Sequence, residues 1–70
     1  MGTDHTIKAL RLVQMRDMFL AGGEYTVAEL AETFGVHKRT IERDMHALNK
    51  LGVPVRLYDG WKYRMTGRAG

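Results

Sequence analysis

The chain has 70 residues, a net charge of +3 and a pI near 9.6, enough for one domain with a small core. It holds no Cys and no Ser, which excludes disulfides, a Cys-based zinc site and a Ser or Cys nucleophile. No apolar run approaches the span of a bilayer, and no charged segment leads into an apolar one. Neither a transmembrane segment nor a signal peptide is expected, which points to the cytoplasm.

Residues 1–6 are expected to be a flexible N-terminus. A first helix is predicted from Ile7 to Ala21, started by Asp4 or Thr6 and stopped by Gly22-Gly23. That glycine pair lacks the spacing, the Lys-Ser/Thr and the preceding strand of a phosphate loop. Leu12, Met15 and Phe19 share one face and should pack on Leu30, Phe34 and Ile41. A second apolar line, Ile7, Leu10, Met18 and Ala21 with Gln14 among them, lies about 100° away by the helical period. Either it lies under a later part of the chain, or it is a seam between two copies. Glu24-Tyr25 should form a short extended segment that pairs with the C-terminal hairpin.

Thr26 is placed to cap a second helix, with Glu29 three residues on to reach back in a capping box. Val27, Leu30, Ala31 and Phe34 repeat at helical spacing, leaving Glu29, Glu32 and Thr33 to solvent. Gly35 ends this helix, because glycine tolerates the left-handed backbone of a helix stop. Small Ala31 allows a close approach, and Val36 and Ile41 fill the angle to the next helix.

The third helix is predicted from Lys38 to Leu51. Ile41, Met45, Leu48 and, more loosely, Leu51 form its core stripe, while Arg39, Arg43, His46 and Lys50 fall within a band of about 60° on the other side. Charged outer faces are ordinary on amphipathic helices. This one follows a capped helix and a glycine turn, the position from which a helix is offered to the major groove.

After Gly52 the period changes to two. Val53, Val55, Leu57, Trp61, Tyr63 and Met65 alternate on either side of Asp59-Gly60, which marks a hairpin. A two-residue turn at Asp-Gly would put Lys62 and Arg64 on the face of Val55 and Leu57. A three-residue loop, Tyr58-Asp59-Gly60, instead pairs Leu57 with Trp61 and Val55 with Tyr63, with every apolar residue facing the core. The opposite face collects Arg56, Lys62 and Arg64. Trp61 is expected to lid the core over the third helix; the alternative is a platform for a stacked base. Residues 66–70 read as a flexible polar tail, so the domain spans 7–65.

From Met1 to Val36 there are three Lys/Arg and five Asp/Glu; from His37 to Gly70 there are eight and three. The cations therefore concentrate on the third helix and the hairpin, as in an electrostatic footprint on nucleic acid. His5, His37 and His46 lack the spacing of a metal site, so no metal and no cofactor are expected. Asp44 sits toward the core side of its helix and should pair with Arg11 or Arg16 rather than act in catalysis. A domain this small has little interior for a pocket, and no enzyme is expected.

The run ELAETFGVHKRTIERDMHALNKLGVPV, with KALRLVQMRDMFLAGGEYT before it, resembles the winged helix-turn-helix of DeoR-type and WYL-type bacterial transcriptional regulators. The resemblance rests on Arg39-Thr40-Ile41, Arg43-Asp44 and Gly52-Val53-Pro54, and it covers most of the chain. It implies a mainly α fold of three helices with a two- or three-stranded wing, binding double-stranded DNA in a bacterial or phage setting, at the nucleoid. Where that family caps its recognition helix with Ser or Thr, this chain has His37. No effector-sensing domain follows, so no small-molecule effector is expected.

On this reading Lys38, Arg39, Thr40 and Arg43 face the bases, and His37, His46, Lys50, Arg56, Lys62 and Arg64 complete the DNA-binding surface. The expected role is a small transcriptional regulator, a mobile-element repressor or an excision-type factor, with a possible homodimer through Ile7, Leu10, Met18 and Ala21. The competing reading is a winged helix used as a protein-interaction module, since a fold alone does not prove DNA binding.

Overall fold

The computed structural model describes residues 3–66, and the side chains of residues 7–66. The elements run α1 (Thr3–Leu20), β1 (Tyr25–Thr26), α2 (Val27–Phe34), α3 (Lys38–Lys50), β2 (Val55–Tyr58) and β3 (Lys62–Met65). This is the expected architecture of three helices and a small sheet, and the wing is three-stranded in the order β1-β3-β2. No described helix is long and apolar enough to cross a membrane.

α1 starts earlier than the expected Ile7, so Asp4 and Thr6 lie inside the helix rather than at its cap. It stops at Leu20, and Ala21 belongs to the turn made by the glycine pair. Of the segments read as flexible, Met1, Gly2 and residues 67–70 lie outside the described residues. Thr66 is held: its backbone N–H donates to the Pro54 carbonyl at 2.8 Å.

Met15, Phe19, Leu30, Ile41, Met45, Leu48, Val53 and Val55 form the core, with Leu12, Phe34, Tyr63 and Met65 packed around it. Burying a side chain of this size contributes about 1.5–3 kcal/mol each. Phe19 meets Tyr25 edge to face, with ring centroids 5.6 Å apart, and so ties α1 to the sheet. The core also contains one ion pair. Arg11 Nε and Nη2 donate to the two carboxylate oxygens of Asp44 at 2.5 and 3.1 Å, which joins α1 to α3. Of the two partners considered for Asp44, the tertiary packing selects Arg11; Arg16 lies in solvent beside Asp17.

The hairpin register departs from expectation. The pairs are Val55 with Met65, Arg56 with Arg64, Leu57 with Tyr63, and Tyr58 with Lys62. Val55 was expected opposite Tyr63 and Leu57 opposite Trp61, so β3 has slipped by two residues. Asp59 and Gly60 both take positive φ, 56° and 78°, as in the tight primed turn that Asp-Gly favours. Trp61 donates its N–H to the Tyr58 carbonyl at 3.3 Å and then stands as one extra residue before pairing resumes. A slip of two leaves the alternation intact, so Val55, Leu57, Tyr63 and Met65 still share one face of the sheet, where Val55, Tyr63 and Met65 pack on the core and Leu57 lies 53% exposed.

Three side chains expected against the core are exposed instead: Leu51, which caps α3 after Lys50 and so leaves its core stripe, Leu57 and Trp61. Trp61 is 64% exposed and lids nothing. The register is anchored elsewhere: Tyr25 pairs with Tyr63 on the far side of β3, and Thr66 closes onto Pro54.

Candidate nucleic-acid interface

The two helices of the motif are set at their joints. Thr26 Oγ1 accepts from the Glu29 N–H at 3.0 Å, and Glu29 Oε1 accepts from the Thr26 N–H at 2.8 Å, completing the capping box. Gly35 closes α2 with φ 65°, in the left-handed region where a side chain would be strained. Val36 then donates to the Ala31 carbonyl at 3.0 Å, and α3 begins within two residues. His37 occupies the N-cap of α3 in an extended conformation and makes no side-chain cap bond. The N–H groups of the first turn are therefore free of a side-chain partner, as at helix ends that receive phosphate.

Along α3, Ile41, Asp44, Met45 and Leu48 point inward. Arg39, Arg43, His46 and Lys50 are exposed, which brings these four together on the outer face as the spacing predicts. His37 and Lys38 are exposed at its start, whereas Thr40 is half-buried at the flank of that face. Ion pairs among the described residues join Arg11 to Asp44 and Arg16 to Asp17, and none reaches a cation of this face.

The wing lies beside α3 across a groove lined by Glu42, Met45, His46, Asn49, Arg56 and Tyr63 among others. Arg56 is exposed, and Lys62 and Arg64 are half-buried because they stand on the central strand. Three residues of this region escaped the sequence reading. Asn49 donates to the carbonyls of Met45 and Val55 at 3.0 and 2.9 Å, tying the end of α3 to the start of β2. Its one visible signal was a poor helix former in the last turn. Glu42 is an acid in the basic helix, and together with burial, the larger cause, it raises the pKa of the Tyr63 hydroxyl above 10.0. Tyr58 carries the Arg64 guanidinium 3.9 Å above its ring centre, a contact that depends on the hairpin register.

With this geometry in hand, the family model of the HTH domain matches residues 8–58, from α1 to the end of β2. The chain belongs to the HTH-domain family. It is a winged helix-turn-helix DNA-binding domain, with α2 and α3 as the motif and the hairpin as the wing. Among curated proteins it is similar to the HTH-type transcriptional regulator IolR of Bacillus subtilis, 32% identical over 54 residues and 77% of this chain. It is also similar to YobV, described as an uncharacterized HTH-type transcriptional regulator of the same organism, 39% identical over 49 residues and 70% of this chain. The matched part covers 22% and 16% of those two regulators. No solved structure matches the chain.

Proposed function

We propose that this domain reads a specific double-stranded DNA site as part of a transcriptional regulator, with α3 in the major groove and the wing on the flanking backbone. The observation that carries the reading is the alignment of Arg39, Arg43, His46 and Lys50 on one exposed face, without acidic partners, beside a wing whose Arg56 borders the same groove. A protein-interaction module needs no such alignment. Lys38, Arg39 and Arg43 face the base edges; His37, Lys50, Arg56, Lys62 and Arg64 hold phosphates, Thr40 flanks the first turn and His46 flanks the groove. The domain works without metal or cofactor, catalyses nothing, and acts at the nucleoid in the cytoplasm.

The same reading includes a pair of domains. Ile7 and Leu10 are 57% and 59% exposed, with Val13 and Leu20 at 46% each, so neither the wing nor the core covers this side of α1. Met18 turns partly inward and packs on the core, which narrows the seam to Ile7, Leu10 and Ala21 with Val13 and Leu20 beside them. Two copies meeting there about a two-fold axis would double a short footprint and read inverted half-sites about 34 Å apart or a multiple of that.

Selection of bound duplexes from a random pool, followed by titration of Arg43→Ala, tests base reading. The variant should lose about 1–3 kcal/mol on the selected site and relax the preference there. Equal weakening on selected and random duplexes would reduce Arg43 to a phosphate contact, and a pool that yields no preferred sequence would overturn specific reading altogether.

A further inference from the structure

The outer face of the wing carries Arg56, Tyr58, Lys62 and Arg64, the residues that alternate with the core-facing ones. Arg56 and Arg64 stand directly opposite each other on neighbouring strands, an arrangement of like charges that costs the sheet stability. No ion pair neutralises them: among the described residues the ion pairs join Arg11 to Asp44 and Arg16 to Asp17, and Glu42, which lines the same groove as Arg56, bonds to neither arginine. The sheet could relieve this repulsion with an acidic neighbour, yet Asp59 in the turn is the hairpin's one acid.

Tyr58 adds the second part. Its ring lies under the Arg64 guanidinium, with Cζ 3.9 Å from the ring centre. Stacking covers one flat face of the guanidinium and leaves N–H edges for an acceptor in its plane. Arg64 Nε is shut off from solvent and donates to nothing among the described residues. The cation has thus lost part of its water without gaining a counter-ion, and an anion at the guanidinium's open Nη edge would offset part of that cost.

We infer that Tyr58 is a positioning residue that holds Arg64, with Arg56 across the strands, as a two-armed clasp for a single DNA backbone phosphate. The ring fixes one arm before DNA arrives, so less side-chain freedom is lost on binding. The phosphate bridges two guanidinium groups that otherwise repel, and it carries no sequence information. This inference rests on the reading of the wing as a DNA contact and adds to it a residue with no charge of its own.

The test is the salt dependence of affinity for the selected duplex, measured on the full chain for wild type, Tyr58→Phe, Tyr58→Leu and Arg64→Gln, with thermal melting of each as a check on folding. Tyr58→Phe keeps the ring and should match wild type. Tyr58→Leu keeps apolar bulk on the strand but offers no ring, and should flatten the slope of log K against log salt toward that of Arg64→Gln, by up to about 0.9 for one lost phosphate. The preferred sequence should stay the same, and Tyr58→Leu combined with Arg64→Gln should be no worse than Arg64→Gln alone.

If Arg64→Gln flattens the slope and a folded Tyr58→Leu does not, Tyr58 has no positioning role, while the wing remains a DNA contact. If neither flattens it, the wing is not on the backbone and both readings fall. Should Tyr58→Leu fail to fold, the Arg64 Nε–H resonance of wild type and Tyr58→Phe decides the matter. It should shift alike in both on titration with duplex, and a resonance that stays still overturns the clasp.

Discussion

Asp44 offers the sharpest test of what holds the recognition helix in place. Its side chain is 1% exposed and receives two hydrogen bonds from Arg11, which is 9% exposed, so both charges are out of water and satisfied by each other. Asp44→Ala leaves a buried guanidinium with no partner, at a cost of about 3–5 kcal/mol. A chain of this length has a total stability of roughly 4–10 kcal/mol. The single change should therefore remove roughly a third or more of the domain's stability, with the midpoint in urea falling in the same proportion.

The double change Arg11→Met with Asp44→Leu removes both charges and keeps similar bulk. Such replacements are neutral or stabilising by up to about 4 kcal/mol when the new side chains pack. Urea denaturation followed by circular dichroism on the wild type, Arg11→Met, Asp44→Leu and the double variant closes the cycle, with Asp44→Ala measured beside it. A loss under about 1 kcal/mol for Asp44→Ala, or a double variant as weak as the sum of the singles, would refute the argument that desolvation of an orphaned charge dominates. A stable double variant that binds DNA poorly would show that the directional pair sets the angle of α3 on α1.

Three other outcomes follow from the same geometry. His37 makes no side-chain cap bond, so His37→Ser should stabilise the domain by about 0.5–1 kcal/mol in a melting experiment; a weaker DNA complex in that variant would place the imidazole on a phosphate. The Tyr63 hydroxyl has its pKa raised above 10.0 by burial and by Glu42, so the folded state holds this proton more tightly than the unfolded one. The contribution is complete below pH 10 and is lost as pH rises through the folded value, so Tyr63→Phe should lose less stability than wild type on going to more alkaline solution. Leu10→Glu, on a side chain 59% exposed, should leave melting nearly unchanged and convert a dimer to monomer in sedimentation; a wild type that is monomeric at high micromolar concentration, free and on DNA, would remove the seam.

How much the sequence determined by itself depends on how local each interaction is. The capping box at Thr26 and Glu29, the stop at Gly35, the start of α3 at Lys38 and the division of α3 into a core stripe and a basic face all rest on residues within a turn or two of each other. Helical periodicity and backbone sterics make such features legible in one dimension. Asp59-Gly60 marked the hairpin just as locally, and the left-handed Gly60 was expected there, but the positive φ of Asp59 belongs to the primed turn that the alternation pattern had argued against.

The tertiary structure decided what alternation cannot encode. Sliding β3 by two residues preserves every in-out assignment of the ladder, so the pattern could not separate Leu57 opposite Trp61 from Leu57 opposite Tyr63. That choice came from Tyr25 pairing with Tyr63 and Thr66 bonding to Pro54, contacts between segments far apart in the chain. The same holds for Arg11 over Arg16 as the partner of Asp44, and for α1, whose apolar side exceeds what one small core can cover and so leaves Ile7 and Leu10 outside. It holds also for Tyr58 under Arg64. Periodicity assigns a residue to a face, but only packing in three dimensions selects which residue of the facing element it meets.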